Sequence, residues 1–259
     1  MRSGNAVVIN DIIVNITGGT EAKAGSAVPQ STNFLIPKSS GAGIKVTSDR
    51  ATVWVDGVYR IVSLRYRAKY FEHADALKLM NLFRGSDIGY ELDRGATRAE
   101  ALVMLIRLLG EEEAALAYTG RNPFSDVPAW ADRYVAYAYK KGYTNGISAN
   151  LFGPGNPTTA THYMTFLLRA LGYDDARGDF KWDKSLDFAK SIGNITAGEY
   201  NELSKVSFMR DQMVYISYYG LFANTKNSNS TLLDKLIAVG TVSESASERA
   251  IAKVASPRL

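Results

Sequence analysis

The 259-residue chain has no cysteine. This excludes disulfides, thiol nucleophiles and thiolate metal sites, but it leaves the compartment open, because many bacterial exported proteins also lack cysteine. Histidine is nearly as scarce, with two in the whole chain. His73 and His162 form neither an HExxH arrangement nor another paired-ligand spacing, and each reads as an ordinary surface, cap or interface residue. No metal or other cofactor is expected. The acidic residues show no local pattern that singles out a hydrolytic pair, so the chain is expected to be non-catalytic.

Other absences narrow the partners. No apolar run approaches the roughly 18 residues that a bilayer-spanning helix needs, so no transmembrane segment is expected. Thirty basic against 26 acidic side chains leave a net charge of +4 with no dense Lys/Arg tract. That excess could help to hold an acidic polymer but does not argue for nucleic acid. The opening segment MRSGNAVVINDIIVNITGG is too polar and strand-like for an ordinary secretory leader, so an exported form is expected to have had its leader removed.

Two regions of different pattern make up the chain. Val7 to Ile16 and Ile44 to Leu64 are rich in strand formers, and a Gly/Ala/Ser/Pro-rich stretch runs from Gly18 to Thr32. Asp56-Gly57 between two apolar runs predicts a tight hairpin. Residues 1–71 are therefore expected to form a β-rich domain or extension, which makes the whole chain α+β.

Beyond residue 71 the apolar period becomes helical. Leu102, Leu105, Ile106 and Leu109 form one stripe, and Thr97-Arg98-Ala99-Glu100 before them has the form of a capping box, in which Thr97 and Glu100 satisfy each other's backbone amides. Met164, Leu167, Leu168 and Leu171 repeat the stripe, and Arg107-Leu108-Leu109-Gly110 returns as Arg169-Ala170-Leu171-Gly172. Recurrence of both stripe and terminus indicates an internal repeat. Val214, Ser217, Tyr218 and Leu221 form a weaker third copy, and a helix over 231–239 is expected to cover the edge. The predicted helices are 74–83, 99–109, 130–141, 161–171, 185–192, 209–221 and 231–239, and residues 241–259 form a tail.

Phe124-Ser125-Asp126-Val127-Pro128-Ala129-Trp130-Ala131, the glycine-bearing loop from Gly146 to Thr159, and Thr97-Arg98-Ala99-Glu100 together resemble the S-layer homology family. The resemblance covers 72–240 as three units, at about 72–122, 123–178 and 179–240. It implies a pseudo-threefold all-α module that binds acidic, pyruvylated secondary cell-wall polysaccharide in grooves between units and so attaches proteins to the outside of the bacterial envelope. By that resemblance the Arg of the motif falls on Arg98 in the first unit and Arg210 in the third. In the second, Thr159-Ala160-Thr161-His162 brings no arginine.

The expected ligand-binding residues are Arg98, Arg210, Trp130 and Asp126, with Thr97 and Glu100 as supporting caps. A guanidinium can pair a ketal carboxylate through several donors, and the adjacent helix N-terminus would add backbone donors. Trp130 can stack on a sugar or close a unit interface, and Asp126 can instead cap the helix after Pro128. Arg107 and Arg169 read as helix-surface or inter-unit residues. Gly146, Gly153 and Gly155 lack the lysine of a phosphate loop and permit the turn. Met209 leaves the third entrance without a side-chain acceptor, which Ser207 could replace. The alternative is an interaction or assembly module, homo-oligomeric or with another surface protein, that uses the tyrosines of 134–139 and 215–219 on its exterior.

Overall fold

The computed structural model describes residues 68–86, 89–204 and 208–259 in full, and before them the backbone of five extended segments. The chain divides into two units, Met1–Ala68 and Lys69–Leu259. In the first, β1 (Val7–Ile9), β2 (Ile12–Asn15), β3 (Ile44–Val46), β4 (Arg50–Val55) and β5 (Val58–Tyr66) pair antiparallel in the order β1-β2-β5-β4-β3. The Gly18 to Thr32 stretch, Asp56-Gly57 and Ser207 lie outside the described residues.

The α+β expectation is corrected. Helix takes up 49 % of the body described in full, which contains no sheet and shows isolated bridges such as Thr97–Pro157 in place of strands. The fold of the described body is helical, and a β-rich domain is not supported. The physical reason is that the helices bury their apolar residues against one another and need no sheet face to cover them.

Ten helices follow in the body: α1 (Phe71–Leu79), α2 (Arg98–Leu108), α3 (Glu112–Ala117), α4 (Asp132–Lys140), α5 (Ala160–Ala170), α6 (Ser185–Ser191), α7 (Ala197–Leu203), α8 (Arg210–Gly220), α9 (Leu232–Ala238) and α10 (Glu244–Lys253), with a 3-10 turn at Trp182–Lys184 before α6. Three of them, α2, α5 and α8, have 11 residues each and are buried on nearly every side. The predicted stripes are inside: Leu102, Leu105 and Ile106 are fully buried, as are Val214, Ser217 and Leu221, and Leu168 of the second stripe. Removing each leucine from water stabilises the fold by roughly 1.5–3 kcal/mol. Tyr163 of α5 and Ser217 of α8 carry hydroxyls into this core and satisfy each other at 2.7 Å, which avoids the cost of orphaned polar groups.

The caps explain the boundaries. Thr97 accepts from the Glu100 amide while Glu100 accepts from the Thr97 amide, completing the predicted box at α2. At α8 Met209 supplies no hydroxyl, but Gln212 still accepts from its amide at 2.8 Å. Tyr139 is 47 % exposed and meets Phe124 edge-on. His73 is 1 % exposed, ringed by Tyr70, Tyr215, Tyr218 and Tyr219, and neither of its ring nitrogens has a hydrogen-bond partner. Burial, partly offset by Glu72, pushes its pKa down from 6.5 to about 4.

Candidate functional site

The start of α2 is closed by the loop that follows α4. The Arg98 amide donates to the Asn156 carbonyl at 2.8 Å and the Ala99 amide to that of Pro154 at 3.1 Å. The helix-end donors expected to serve an anion are therefore engaged within the protein. Asp126 fixes the same loop, its two oxygens accepting from the Phe152 and Gly153 amides at 2.8 Å each. Gly146 turns it at φ +74°, where a Cβ would fall 2.4 Å from the Phe124 ring and 2.6 Å from the Leu151 carbonyl oxygen.

These constraints leave the Arg98 side chain as the active part of the α2 entrance. It is 7 % exposed, with its guanidinium carbon 5.1 Å and 4.8 Å from the ring centroids of Phe152 and Phe166. One Nη makes a long 3.5 Å contact with the Thr144 hydroxyl, and Nε is buried without a partner. Among the described residues no carboxylate pairs with it. Burial, then the neighbouring positive charge of Arg169, lower its pKa to about 10, so it remains a cation at neutral pH.

Arg98 lines a cavity of about 370 Å³ together with Arg169, His162, Asp175 and Trp182. Asp175 neutralises Arg169 through two hydrogen bonds of 2.7 Å. Trp182 is 54 % exposed and stacks on His162 at 6.0 Å and 27°. The cavity thus offers one uncompensated cation beside a flat aromatic face, a combination suited to an acidic group carried on a ring.

Arg210 occupies the matching place at the start of α8, where its amide donates to the Arg94 carbonyl at 2.9 Å. It lines a cavity of about 200 Å³ with Arg94, Arg107, Glu91, Glu100 and Trp130. Its Nε donates to the Tyr90 carbonyl at 3.2 Å. Here two of the three cations are paired, Arg94 with Glu91 at 2.9 Å and Glu100 at 2.8 Å and Arg107 with Glu112 at 2.8 Å, and Arg210 has the Glu91 and Glu100 charges nearby. Burial and the Arg94 charge lower the Arg210 pKa, while Glu100 and Glu91 oppose them. Trp130 is 57 % exposed.

The expected residues therefore separate. Arg98 stands in one cavity, and Arg210, Trp130 and Glu100 share another. Thr97 is a cap. Asp126 clamps a loop, and the helix cap foreseen for it is corrected, because α4 starts from Ala131 without a side-chain acceptor. Sequence reasoning missed Arg94, Trp182 and His162 as lining residues, and it read Arg107 and Arg169 as helix-surface or inter-unit residues, not as lining ones. The signal for those last two was present, since they take the tenth position of α2 and α5 in the recurring Arg-x-Leu-Gly. Among the described residues no group of three His, Asp or Glu side chains could hold a metal ion, and no helix is long and apolar enough to cross a membrane.

Residues 123–159, which hold Asp126, Trp130, α4 and the loop that closes α2, match the S-layer homology domain. The chain is 32 % identical over 112 residues to a cell surface protein of Thermoanaerobacter kivui, covering 42 % of this chain and 15 % of that protein. It is 31 % identical over 177 residues to the middle cell wall protein of Brevibacillus brevis, covering 63 % and 17 %, and 26 % identical over 186 residues to a surface layer protein of Brevibacillus choshinensis, covering 66 % and 16 %. It therefore spans about one sixth of the length of these relatives. Residues 123–159 thus match the S-layer homology domain, and the chain is similar to bacterial surface-layer and cell-wall proteins.

Proposed function

We propose that the helical body attaches this protein non-covalently to the outside of a bacterial cell envelope by binding an acidic, pyruvylated wall polysaccharide, as a non-catalytic anchor. In this reading 72–122, 123–178 and 179–240 are three helix-loop-helix units, and glycan contact concentrates at Arg98. The observation that carries it is the buried Arg98 guanidinium, which lines an open cavity with no carboxylate partner among the described residues. An unpaired buried cation costs stability, and a bound carboxylate would relieve that cost. The surface-layer and cell-wall relatives support the envelope setting.

The assembly reading has less support. It called for an external tyrosine patch, whereas Tyr134, Tyr215 and Tyr218 are buried and Tyr139 is exposed without them. The test is calorimetric binding of the full chain to purified pyruvylated wall polysaccharide, to the same polymer stripped of pyruvyl groups, and of Arg98→Ala to both. Tight binding confined to the pyruvylated polymer and lost in the variant is expected. Equal binding, or none, across all samples would overturn the proposal.

A further inference from the structure

We infer that Asn145 is a site of spontaneous modification, where its side-chain amide is lost by cyclisation onto the Gly146 nitrogen and the carboxylate that results cancels the positive charge of the Arg98 cavity. Only the effect on glycan binding rests on the reading above. Asn145-Gly146 is the one Asn-Gly pair in the chain. It lies in the loop after α4, outside any helix or strand, with Asn145 exposed, and both residues line the cavity with Arg98, Arg169 and Asp175. After every other asparagine stands a residue whose side chain shields its amide nitrogen, or a proline with no N–H to lose, as at Asn122-Pro123 and Asn156-Pro157. The glycine is required by the fold, because a Cβ at Gly146 would meet the Phe124 ring and the Leu151 carbonyl oxygen.

The surroundings favour the reaction. The Gly146 amide donates to the Thr144 hydroxyl at 3.2 Å. With the Asn145 amide turned so that its donors face acceptors, its nitrogen donates to the Thr144 carbonyl and its oxygen accepts from an Arg169 Nη, both at 3.2 Å. A guanidinium on that oxygen draws electrons from Cγ and stabilises the oxyanion that forms when Cγ is attacked. The Gly146 nitrogen, its proton taken by hydroxide, bonds to Cγ; the side-chain Cγ–N bond breaks, and ammonia leaves with a proton from water. Water then adds to either carbonyl of the five-membered imide and opens it, leaving an aspartyl or isoaspartyl residue at position 145. Arg98 and Arg169 against Asp175 give the lining a net charge of one cation, since burial and the Arg98 charge hold the His162 pKa low. The new carboxylate neutralises it and becomes a resident counter-charge that an acidic ligand must displace.

The experiment ages the full chain in mildly alkaline and mildly acidic buffer and follows the tryptic peptide 142–169 by mass spectrometry with isoaspartate detection. A gain of about 1 Da at Asn145 is expected before any at another asparagine, and faster in alkali. Asn145→Asp should weaken binding of pyruvylated polysaccharide about tenfold. It should also raise the His162 pKa by about half a unit or more, read from the imidazole NMR signals. Ageing should weaken binding by the natural chain in step with the mass gain and leave Asn145→Ser at its own starting value. No gain at Asn145, an earlier gain at another asparagine, or a His162 titration unmoved in Asn145→Asp would overturn the inference. So would undiminished binding by Asn145→Asp where Arg98→Ala has lost it. Failure of the Arg98 proposal registers differently, as no polysaccharide binding by the unaged chain, with the mass gain and the His162 shift intact.

Discussion

The Arg98 and Arg210 cavities are built from the same parts and differ in their counter-charges. Each has an arginine at the first position of a helix, a second at the tenth position of another, and an exposed tryptophan. At Arg98 the one carboxylate in the lining, Asp175, is committed to Arg169. At Arg210 the lining holds Glu91 and Glu100 as well as three arginines. Counting cations would rank the Arg210 cavity higher for an anion, whereas counting unpaired cations leaves one in each, Arg98 and Arg210, and only the second has Glu91 and Glu100 beside it. Compensation decides, because a carboxylate ligand must compete with carboxylates already in place.

The comparison can be broken most directly by removing each arginine. Arg98→Ala is expected to weaken binding of the acidic polysaccharide about tenfold to a hundredfold, and Arg210→Ala by less than about fivefold. Equal losses in calorimetry would remove the distinction.

A second measurement tests whether both cavities fail together through the body they share. Folded His73 stays neutral down to about pH 4, whereas the unfolded chain takes up that proton near pH 6.5. Protons then favour the unfolded state, so stability should fall as pH drops from 6.5 toward 4 and level off below. The His73 share is roughly 2–3 kcal/mol, and urea unfolding of His73→Phe should show a correspondingly flatter pH dependence.

The difference can also be narrowed. Glu91→Gln removes one counter-charge from the Arg210 cavity and should raise its contribution to acidic polysaccharide binding about threefold, with a steeper salt dependence. An unchanged salt slope would mean that Glu91 does not govern this cavity. The smallest effects concern the helix starts: Thr97→Ala should cost about 1 kcal/mol in chemical denaturation, and Met209→Thr should gain up to about that amount.

Much of the fold was legible where local signals agreed. The ends of α2 and α5 were predicted to within one residue, because a threonine cap, an apolar stripe and a terminal glycine coincide there. Helix α7 went unpredicted although Thr196 and Glu199 form a full capping box, since its seven residues include Gly198 and carry no long stripe. Helix α10 falls within the stretch read as a tail, because its apolar residues are mostly alanines, two of which, Ala246 and Ala250, are buried. Trp182 was not legible as a lining residue, because no spacing along the chain reveals that it stacks on His162, twenty positions earlier.

The sequence by itself determined the periodic helices and their caps, the exclusion of thiol chemistry, and the recurrence of arginine at the first and tenth helical positions, all of which follow from short-range spacing. The tertiary structure alone decided what each arginine can do. Arg210 meets the Tyr90 carbonyl 120 residues away and shares a cavity with Glu91 and Glu100, whereas Arg98 meets Phe152, Phe166 and a hydroxyl. Electrostatic compensation acts over a few ångströms of space and takes no account of separation along the chain.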